Sequence, residues 1–175
     1  VSSIPISPAL NVQSILRITD GYIGLLHTSP DTLQLWKIDL MGNHLWQTVA
    51  LISGAIPGGS AVATPDGGFL YASAAPPEIR LTKFDADGNI EWTKLGGSPE
   101  IEGSNVGINI TSDGGYIAST SGVGDMMNRL LKFDGNGDLL WWGDFTRTEQ
   151  FEGLSNATAR FIETSDGGFI SAGTL

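Results

Sequence analysis

The sequence predicts an all-β protein built from repeated four-stranded antiparallel units, and three observations support this prediction. Gly contributes 24 of the 175 residues without any Gly-x-y period, so the glycines indicate many turns between short strands. Hydrophobic residues make up 41% and charged residues 16%, which excludes a disordered chain and is low for a helical bundle. Two short motifs also recur in the same phase, with copies 45 to 53 residues apart.

The first motif has the form K-[IF]-D-x-x-G-[ND]-x-x-W. Its copies begin at Lys37, Lys83 and Lys132, which are 46 and 49 residues apart. Each copy has an aspartate two residues after the lysine and a tryptophan nine residues after it: Asp39, Asp85, Asp134, Trp46, Trp92 and Trp141. We expect each aspartate to accept backbone N–H groups of its own turn, and each tryptophan to be buried between adjacent units.

The second motif has the form T-x-D-G-G-[FY]. Its copies occupy 64–69, 111–116 and 164–169, and a shorter T-D-G-Y precedes them at 19–22. Asp-Gly and Gly-Asn between apolar stretches are strong hairpin signals, because Gly and Asn accept the positive φ that such turns require. Each motif therefore predicts a tight turn in which one glycine has a structural role: Gly67, Gly114 and Gly167 in the second motif.

Two hairpin turns in each period give four strands, A to D, in a meander. Four short antiparallel strands in every 40–50 residues are typical of a β-propeller blade. We predict a single propeller domain over 1–175, with blades at about 11–50, 60–95 and 103–145 and strands A and B of a fourth at 157–175. Such a ring cannot close alone. Further blades of the same polypeptide are the preferred completion, and another subunit is the alternative.

Residues 83–122, which read KFDADGNIEWTKLGGSPEIEGSNVGINITSDGGYIASTSG, resemble the propeller repeats of secreted and cell-surface proteins of bacteria and archaea. The resemblance extends over 12–175 and implies the propeller fold and an extracellular or cell-surface location. It implies no particular activity. A weaker resemblance to the tryptophan-docking repeat of quinoprotein dehydrogenases lacks the Thr of that motif and has a shorter Asp-to-Trp spacing.

The charge and the ends of the chain bear on partners and location. A net charge of −10 disfavours nucleic acid and anionic lipid as partners, and no apolar run has the length of a membrane span. Cysteine is absent, which excludes disulfides and thiolate chemistry but does not fix the compartment. The chain begins at Val1 without a leader pattern, so we expect a processed product or an excerpt.

Candidate metal ligands occur in the first motif. The run from Asp134 through Asn136 to Asp138 has the D-x-N-x-D spacing that opens calcium loops, and Asp85 and Asp87 form a similar pair. The later bidentate acid of such loops is missing. We therefore favour plain turns, with calcium as the weaker alternative, and predict that no cofactor is required.

The catalytic signals are weak. His27 and His44 have no acid–base partner nearby in sequence, and no nucleophile or His-pair motif is present. Four acids could form a glycosidase pair, although exposed acids are the ordinary interpretation: Glu100, Glu102, Glu149 and Glu152. The sequence therefore predicts no catalytic residue.

Variable loops on a repeated frame are where binding specificity is expected. Five segments vary most: Thr28–Thr32, Ile52–Gly59, Ala74–Glu78, Ser121–Asn128 and Asp144–Leu154. Within them, 124–127 and 146–151 are the most distinctive. Asn109 and Asn156 begin glycosylation sequons, whose use depends on the source organism.

The function predicted from these observations is a non-catalytic extracellular scaffold or recognition module with a protein or glycan partner. Two alternatives remain. One is a structural subunit of a surface layer or filament, and the other is the propeller part of a secreted hydrolase or lyase.

Overall fold

A computed structural model describes residues 11–29, 31–96, 105–121, 127–146 and 160–172 of the 175-residue chain. These residues form fourteen β-strands and no helix. The first unit contains β1 (Asn11–Ile18), β2 (Gly21–Ser29), β3 (Thr32–Asp39) and β4 (His44–Leu51). The second contains β5 (Ile56–Ala63), β6 (Phe69–Ala75), β7 (Glu78–Phe84) and β8 (Ile90–Gly96).

The third unit contains β9 (Val106–Ile110), β10 (Tyr116–Ser121), β11 (Met127–Phe133) and β12 (Leu139–Thr146). The fourth contains β13 (Arg160–Glu163) and β14 (Phe169–Ala172). Each of the first three units is one antiparallel sheet whose strand order follows the chain, and the fourth is a two-stranded hairpin. The predicted all-β class and its four-stranded antiparallel units are confirmed. Among the described residues there is no helix with the length and hydropathy of a membrane span.

Both motifs form the same kind of turn. In the second unit, the N–H of Gly67 donates to the carbonyl of Thr64 at 3.1 Å, and the N–H of Thr64 donates to the carbonyl of Gly68 at 2.9 Å. Gly67 has φ of 90°, so this is a turn followed by a left-handed glycine, a common three-residue hairpin connection. Its counterparts Gly114 and Gly167 have φ of 81° and 80°.

The sheets lie side by side through their first strands. β1 contacts β5, β5 contacts β9, and β9 contacts β13. The second strands of the first three units are buried on both faces, as in β6, where Phe69 and Tyr71 pack against the first unit while Leu70 and Ala72 pack against the third. Because both faces are covered, neither face needs polar residues. This explains why polar and apolar residues do not alternate regularly along these strands.

Each motif tryptophan faces the motif lysine of its own sheet across the last strand pair. The tryptophan rings also contact the next sheet: a Cβ built on Gly88 would lie 2.9 Å from the Trp46 ring, and one on Gly137 would lie 2.6 Å from the Trp92 ring. Trp46 and Trp92 are half-buried by this contact. The expectation of burial is wrong for Trp141, which is 42% exposed, because the described residues supply no further glycine turn to cover it.

Candidate functional site

A cavity of about 340 Å³ lies along the first strands of the four units, and we call it the first-strand cavity. Its walls are 14–16 of β1, 58–61 of β5 and 106–109 of β9, together with Ile117, Ser119 and Phe161. The described lining residues offer hydroxyl groups, one side-chain amide, backbone groups and apolar surface. This chemistry suits an uncharged ligand held by hydrogen bonds and apolar contact.

An irregularity in β5 shapes one wall of this cavity. The pairing of β5 with β6 shifts register between Ile56 and Ser60, and Gly58 in that stretch has φ of 122°. A Cβ on Gly59 would lie 2.2 Å from the carbonyl oxygen of Ala72 and 2.5 Å from the hydroxyl of Tyr71, so only glycine allows this approach. Bulges of this kind re-aim the neighbouring side chains. The predicted variable segment Ile52–Gly59 reaches the cavity through Gly58 and Gly59, although its last four residues belong to β5 and not to a loop.

Two polar side chains of the cavity wall have contrasting environments. The hydroxyl of Ser60 is buried and has no hydrogen-bond partner among the described protein atoms. The side-chain amide of Asn109 instead donates to the carbonyl of Phe161 at 2.5 Å, and thus connects β9 to β13. The buried hydroxyls of Ser73 and Thr82 likewise have no partner among the described protein atoms, and these two residues do not line the cavity. Because Asn109 lines the cavity, the glycosylation sequon that begins at this residue lies in the cavity wall.

A histidine and a tyrosine support the Gly59 wall from behind. Nδ1 of His27 faces the carbonyl of Ser29 at 3.3 Å, so Nε2 accepts from the hydroxyl of Tyr71 at 2.7 Å. The phenol also bonds to the backbone of Gly59. Burial lowers the pKa of His27 and raises the pKa of Tyr71. This pair was not predictable from the sequence pattern, because the two residues are 44 positions apart.

The two repeated motifs meet in an ion pair within each of the first three units. The motif lysine is buried and its Nζ contacts the aspartate of the D-G turn, in the pairs Lys37–Asp20 at 2.9 Å, Lys83–Asp66 at 2.8 Å and Lys132–Asp113 at 2.9 Å. Sequence reasoning missed these pairs. The recurrence of a lysine inside an apolar strand was the signal that could have found them.

The turn around Asp66 concentrates hydrogen-bond donors on one carboxylate. Thr64 Oγ1 donates to it at 2.5 Å, the N–H of Gly68 at 3.0 Å, and Lys83 forms the ion pair. Burial alone would raise the pKa of Asp66, but these donors outweigh it and lower the pKa to about 2. At Asp113, the Thr111 hydroxyl and then Lys132 lower the pKa in the same way. These sites hold their sheets together.

The calcium candidates are engaged in their own turns. Asp85 accepts from the N–H groups of Asp87 and Asn89 at 2.9 and 2.8 Å. Asp134 likewise accepts from the N–H groups of Asn136 and Asp138, and Asp39 from its own turn. Asp138 also forms an ion pair with Lys94 of the second unit at 2.6 Å.

No group of three or more His, Cys, Asp or Glu side chains that could hold a metal occurs within the described ranges. The absence of a cofactor nevertheless stays a prediction.

Several predicted sites lie outside the described residues: Glu100, Glu102, Glu149, Glu152, Asn156 and the larger parts of 124–127 and 146–151. His44 is exposed at the start of β4.

No protein-family model matches the chain, and no curated protein matches it significantly. Among solved structures, the chain is similar to a protein of unknown function from Bacteroides caccae, with a TM-score of 0.58 and 15% sequence identity. The match covers 97% of this chain and 55% of that one, so this chain spans about half the length of that protein. At this identity the likeness shows the fold alone, and the family resemblance stays a prediction.

Proposed function

We propose that this chain is part of an extracellular β-propeller and acts as a non-catalytic recognition module. Repeated antiparallel sheets that contact one another through their first strands support the propeller assignment, because this is how blades are arranged around an axis. The extracellular location rests on the resemblance of the repeats to those of secreted and surface proteins.

The observation that carries the recognition role is the first-strand cavity itself, whose described lining residues on β1, β5 and β9 are uncharged. The cavity volume of about 340 Å³ falls within the ordinary range of ligand sites. Serine hydroxyls, an asparagine and apolar side chains offer hydrogen bonds and apolar contact without charge. We therefore propose a neutral glycan as the ligand, bound near Ser60.

An oligosaccharide array that contains neutral and acidic glycans tests this proposal. We expect binding to neutral members, and a five- to tenfold loss in the Ser60→Ala variant, which is the effect of roughly 1 kcal/mol for one hydrogen bond. Ser73→Ala is the matched control, because the Ser73 hydroxyl is also buried and unpartnered in the described structure but does not line the cavity. Equal affinity of both variants, or binding of acidic glycans alone, contradicts the proposal.

Location has its own test. Antibodies raised against this chain should label intact cells of the source organism. Labelling that requires lysis contradicts the extracellular assignment and leaves the ligand site untouched.

A structural subunit of a surface layer or filament is the second candidate function. The exposed Ile162 and Ile170 form a cross-strand pair on one face of the fourth unit and favour it, since exposed apolar side chains promote association. Sedimentation at increasing concentration separates the two functions. Open-ended growth supports the structural role, whereas a discrete particle supports recognition.

A further inference from the structure

The Gly59 wall of the first-strand cavity, formed by 58–61 of β5, lies in an irregular part of its sheet. The pairing of β5 with β6 shifts register between Ile56 and Ser60, and Gly59 lies within that shift. A Cβ on Gly59 would lie 2.5 Å from the Tyr71 hydroxyl, so the phenol is in direct contact with this backbone. The contact with Tyr71 therefore contributes to the position of the wall.

A chain of hydrogen bonds runs from the Gly59 wall to His27. The backbone of Gly59 hydrogen-bonds to the Tyr71 phenol and lowers its pKa, which is the effect of an N–H that donates to the phenol oxygen. The phenol in turn donates to Nε2 of His27 at 2.7 Å. Nδ1 of His27 lies 3.3 Å from the carbonyl of Ser29, so Nδ1 carries the ring hydrogen and Nε2 accepts. Every donor in this chain has its acceptor while His27 is neutral.

Protonation of His27 reverses the role of one atom in this chain. Nε2 then carries a hydrogen and faces the phenol hydrogen across 2.7 Å, which places two donors against each other. Tyr71 is completely buried and His27 is 7% exposed, so bulk water does not take over as the acceptor. The phenol must turn its hydrogen away from Nε2 or move, and either change alters its contact with Gly59.

The strands that pack around His27 bring few charges to it. Its pairing partners are Asn11 on β1 and Leu33 on β3, and neither is charged. β2 and β5 contain no charged residue, and Tyr71 is the titratable group that β6 contributes. The charged residues of β1 and β3 lie toward the opposite ends of those strands: Arg17, Lys37 and Asp39.

Three charged groups lie at the same end of the sheets as His27: Asp31 after β2, and Glu78 and Arg80 of β7. Asp31 Oδ1 accepts from the N–H of Gly54 at 2.5 Å, and a Cβ on Gly54 would lie 3.7 Å from Nη2 of Arg80. None of the three contributes to the pKa of His27, which burial lowers and the carbonyl of Ser29 raises. His27 therefore takes up its proton below its ordinary value of 6.5.

We propose that His27 and Tyr71 are positioning residues that hold the Gly59 wall of the first-strand cavity in place only while His27 is neutral. Protonation of His27 releases the wall and changes the shape of the cavity. A ligand that fits the described cavity is therefore bound at neutral pH and released in acid. That last consequence rests on the proposed function, whereas the release of the wall does not.

NMR of the 175-residue chain without ligand tests the release of the wall. The ring C–H signal of His27 and the amide signal of Gly59 are followed from pH 8 to pH 4.5, with the exposed His44 as the reference histidine. We expect the Gly59 amide to shift with the midpoint of His27, and its hydrogen exchange, corrected for the intrinsic effect of pH, to become about tenfold faster. The range ends at pH 4.5 so that the turn aspartates stay charged, since the pKa of Asp66 is about 2.

Three variants separate positioning from ordinary packing. His27→Gln supplies a neutral amide that accepts from Tyr71 at every pH, so the Gly59 signal should no longer change with pH. Tyr71→Phe keeps the ring and removes the hydroxyl, so exchange at Gly59 should be fast at every pH. Tyr116→Phe is the matched control, because this tyrosine is also buried but begins β10 of the third unit, and it should leave the Gly59 midpoint unchanged. Protection of the β6 amides reports whether each variant is folded.

The test with ligand uses the neutral glycan that binds most tightly on the array. Calorimetry should show binding about five- to tenfold weaker at pH 5.0 than at pH 7.5, because uptake of one proton changes affinity by at most tenfold per pH unit. His27→Gln should bind equally at both pH values. By linkage, the same glycan should lower the midpoint of His27 in the NMR titration.

A Gly59 signal that stays constant while His27 titrates overturns the inference, and so does a His27 that stays neutral down to pH 4.5. A Gly59 transition that persists in His27→Gln belongs to another group and overturns the role of His27. Glycan affinity that is independent of pH while the Gly59 signal moves overturns the ligand consequence alone. If no neutral glycan binds, the proposed function is wrong, and the Gly59 signals still decide whether the wall is released.

Discussion

The turn at 64–69 in the second unit and the turn at 164–169 in the fourth have nearly the same sequence, TPDGGF and TSDGGF. Their backbones form the same hydrogen bonds, and the first glycine has positive φ in both. Only the second unit adds a buried lysine and a third strand above the turn. The comparison shows that the first glycine is required by the positive φ of the turn. The second glycine is required by the close approach of a lysine about fifteen positions further on.

The largest difference between the two regions is expected at the tryptophans. Trp92→Ala should lower the free energy of unfolding by about 3 kcal/mol, because it empties a half-buried site between the second and third sheets. Trp141→Ala should cost less, about 1–2 kcal/mol, since that ring is 42% exposed but still contacts the Phe169 ring, with the centroids 6.1 Å apart. Urea denaturation measures both, and equal losses would contradict the weaker burial of Trp141.

The next largest difference in stability is expected at the second glycine of the T-x-D-G-G turn, which is Gly68 in the second unit and Gly168 in the fourth. Gly68→Ala should destabilise the protein by about 2 kcal/mol, because the new Cβ would overlap the carbonyl oxygen of Phe84. Gly168→Ala should stay within about 0.5 kcal/mol, since its nearest atoms belong to its own turn at 3.0 Å and beyond. Thermal melts of the two variants at neutral pH compare them directly. A larger loss at Gly168 would refute this account of the second glycine.

The pH dependence of stability separates the paired and unpaired aspartates. The pKa of Asp66 in the folded protein, about 2, is below its ordinary value of 3.8, so its contribution is present above pH 4 and is lost as the pH falls from 4 to 2. Asp66→Asn should therefore flatten the stability curve over this range, by about 1 kcal/mol after allowance for solvent screening of a half-exposed carboxylate. Asp166→Asn should flatten it less, because no lysine pairs with Asp166 in the described structure. Urea midpoints at pH 2, 3, 4 and 7 test this.

The smallest expected effect is that of metal removal. Asp85, Asp134 and Asp39 satisfy the N–H groups of their own turns, so melting temperatures with and without EDTA should agree. A fall of more than about 5 °C, or roughly 1 kcal/mol for a domain of this size, would assign calcium to these turns. Calcium added back, with magnesium as the control, identifies the ion.

The local part of the fold was predictable because turn chemistry is encoded in adjacent residues. Four-stranded sheets are observed over 56–96 and 106–146, close to the units expected at about 60–95 and 103–145. Contacts between distant residues were not predictable in the same way. The ion pair joins Lys83 of β7 to Asp66 in the turn between β5 and β6. The exposure of Trp141 depends on how much of the neighbouring sheet packs against its ring.

The candidate site was the least predictable feature. Loop variability indicated Ile52–Gly59, but the cavity depends on how β1, β5 and β9 lie beside one another. Periodicity gives the strands of a sheet and not the spacing between sheets. The place of Ser60 in the cavity wall depends on the irregular pairing of β5 with β6, a three-dimensional property with no counterpart in the pattern of the sequence.

The contact of each tryptophan with the following glycine turn has an evolutionary consequence. Trp46 meets Gly88 and Trp92 meets Gly137, while each lysine–aspartate pair stays within its own sheet. A gene duplication or deletion of one period, 46 or 49 residues in this chain, therefore preserves every contact of both kinds wherever the breakpoint falls. Unequal recombination can change the number of units in such a gene without inventing a new interface.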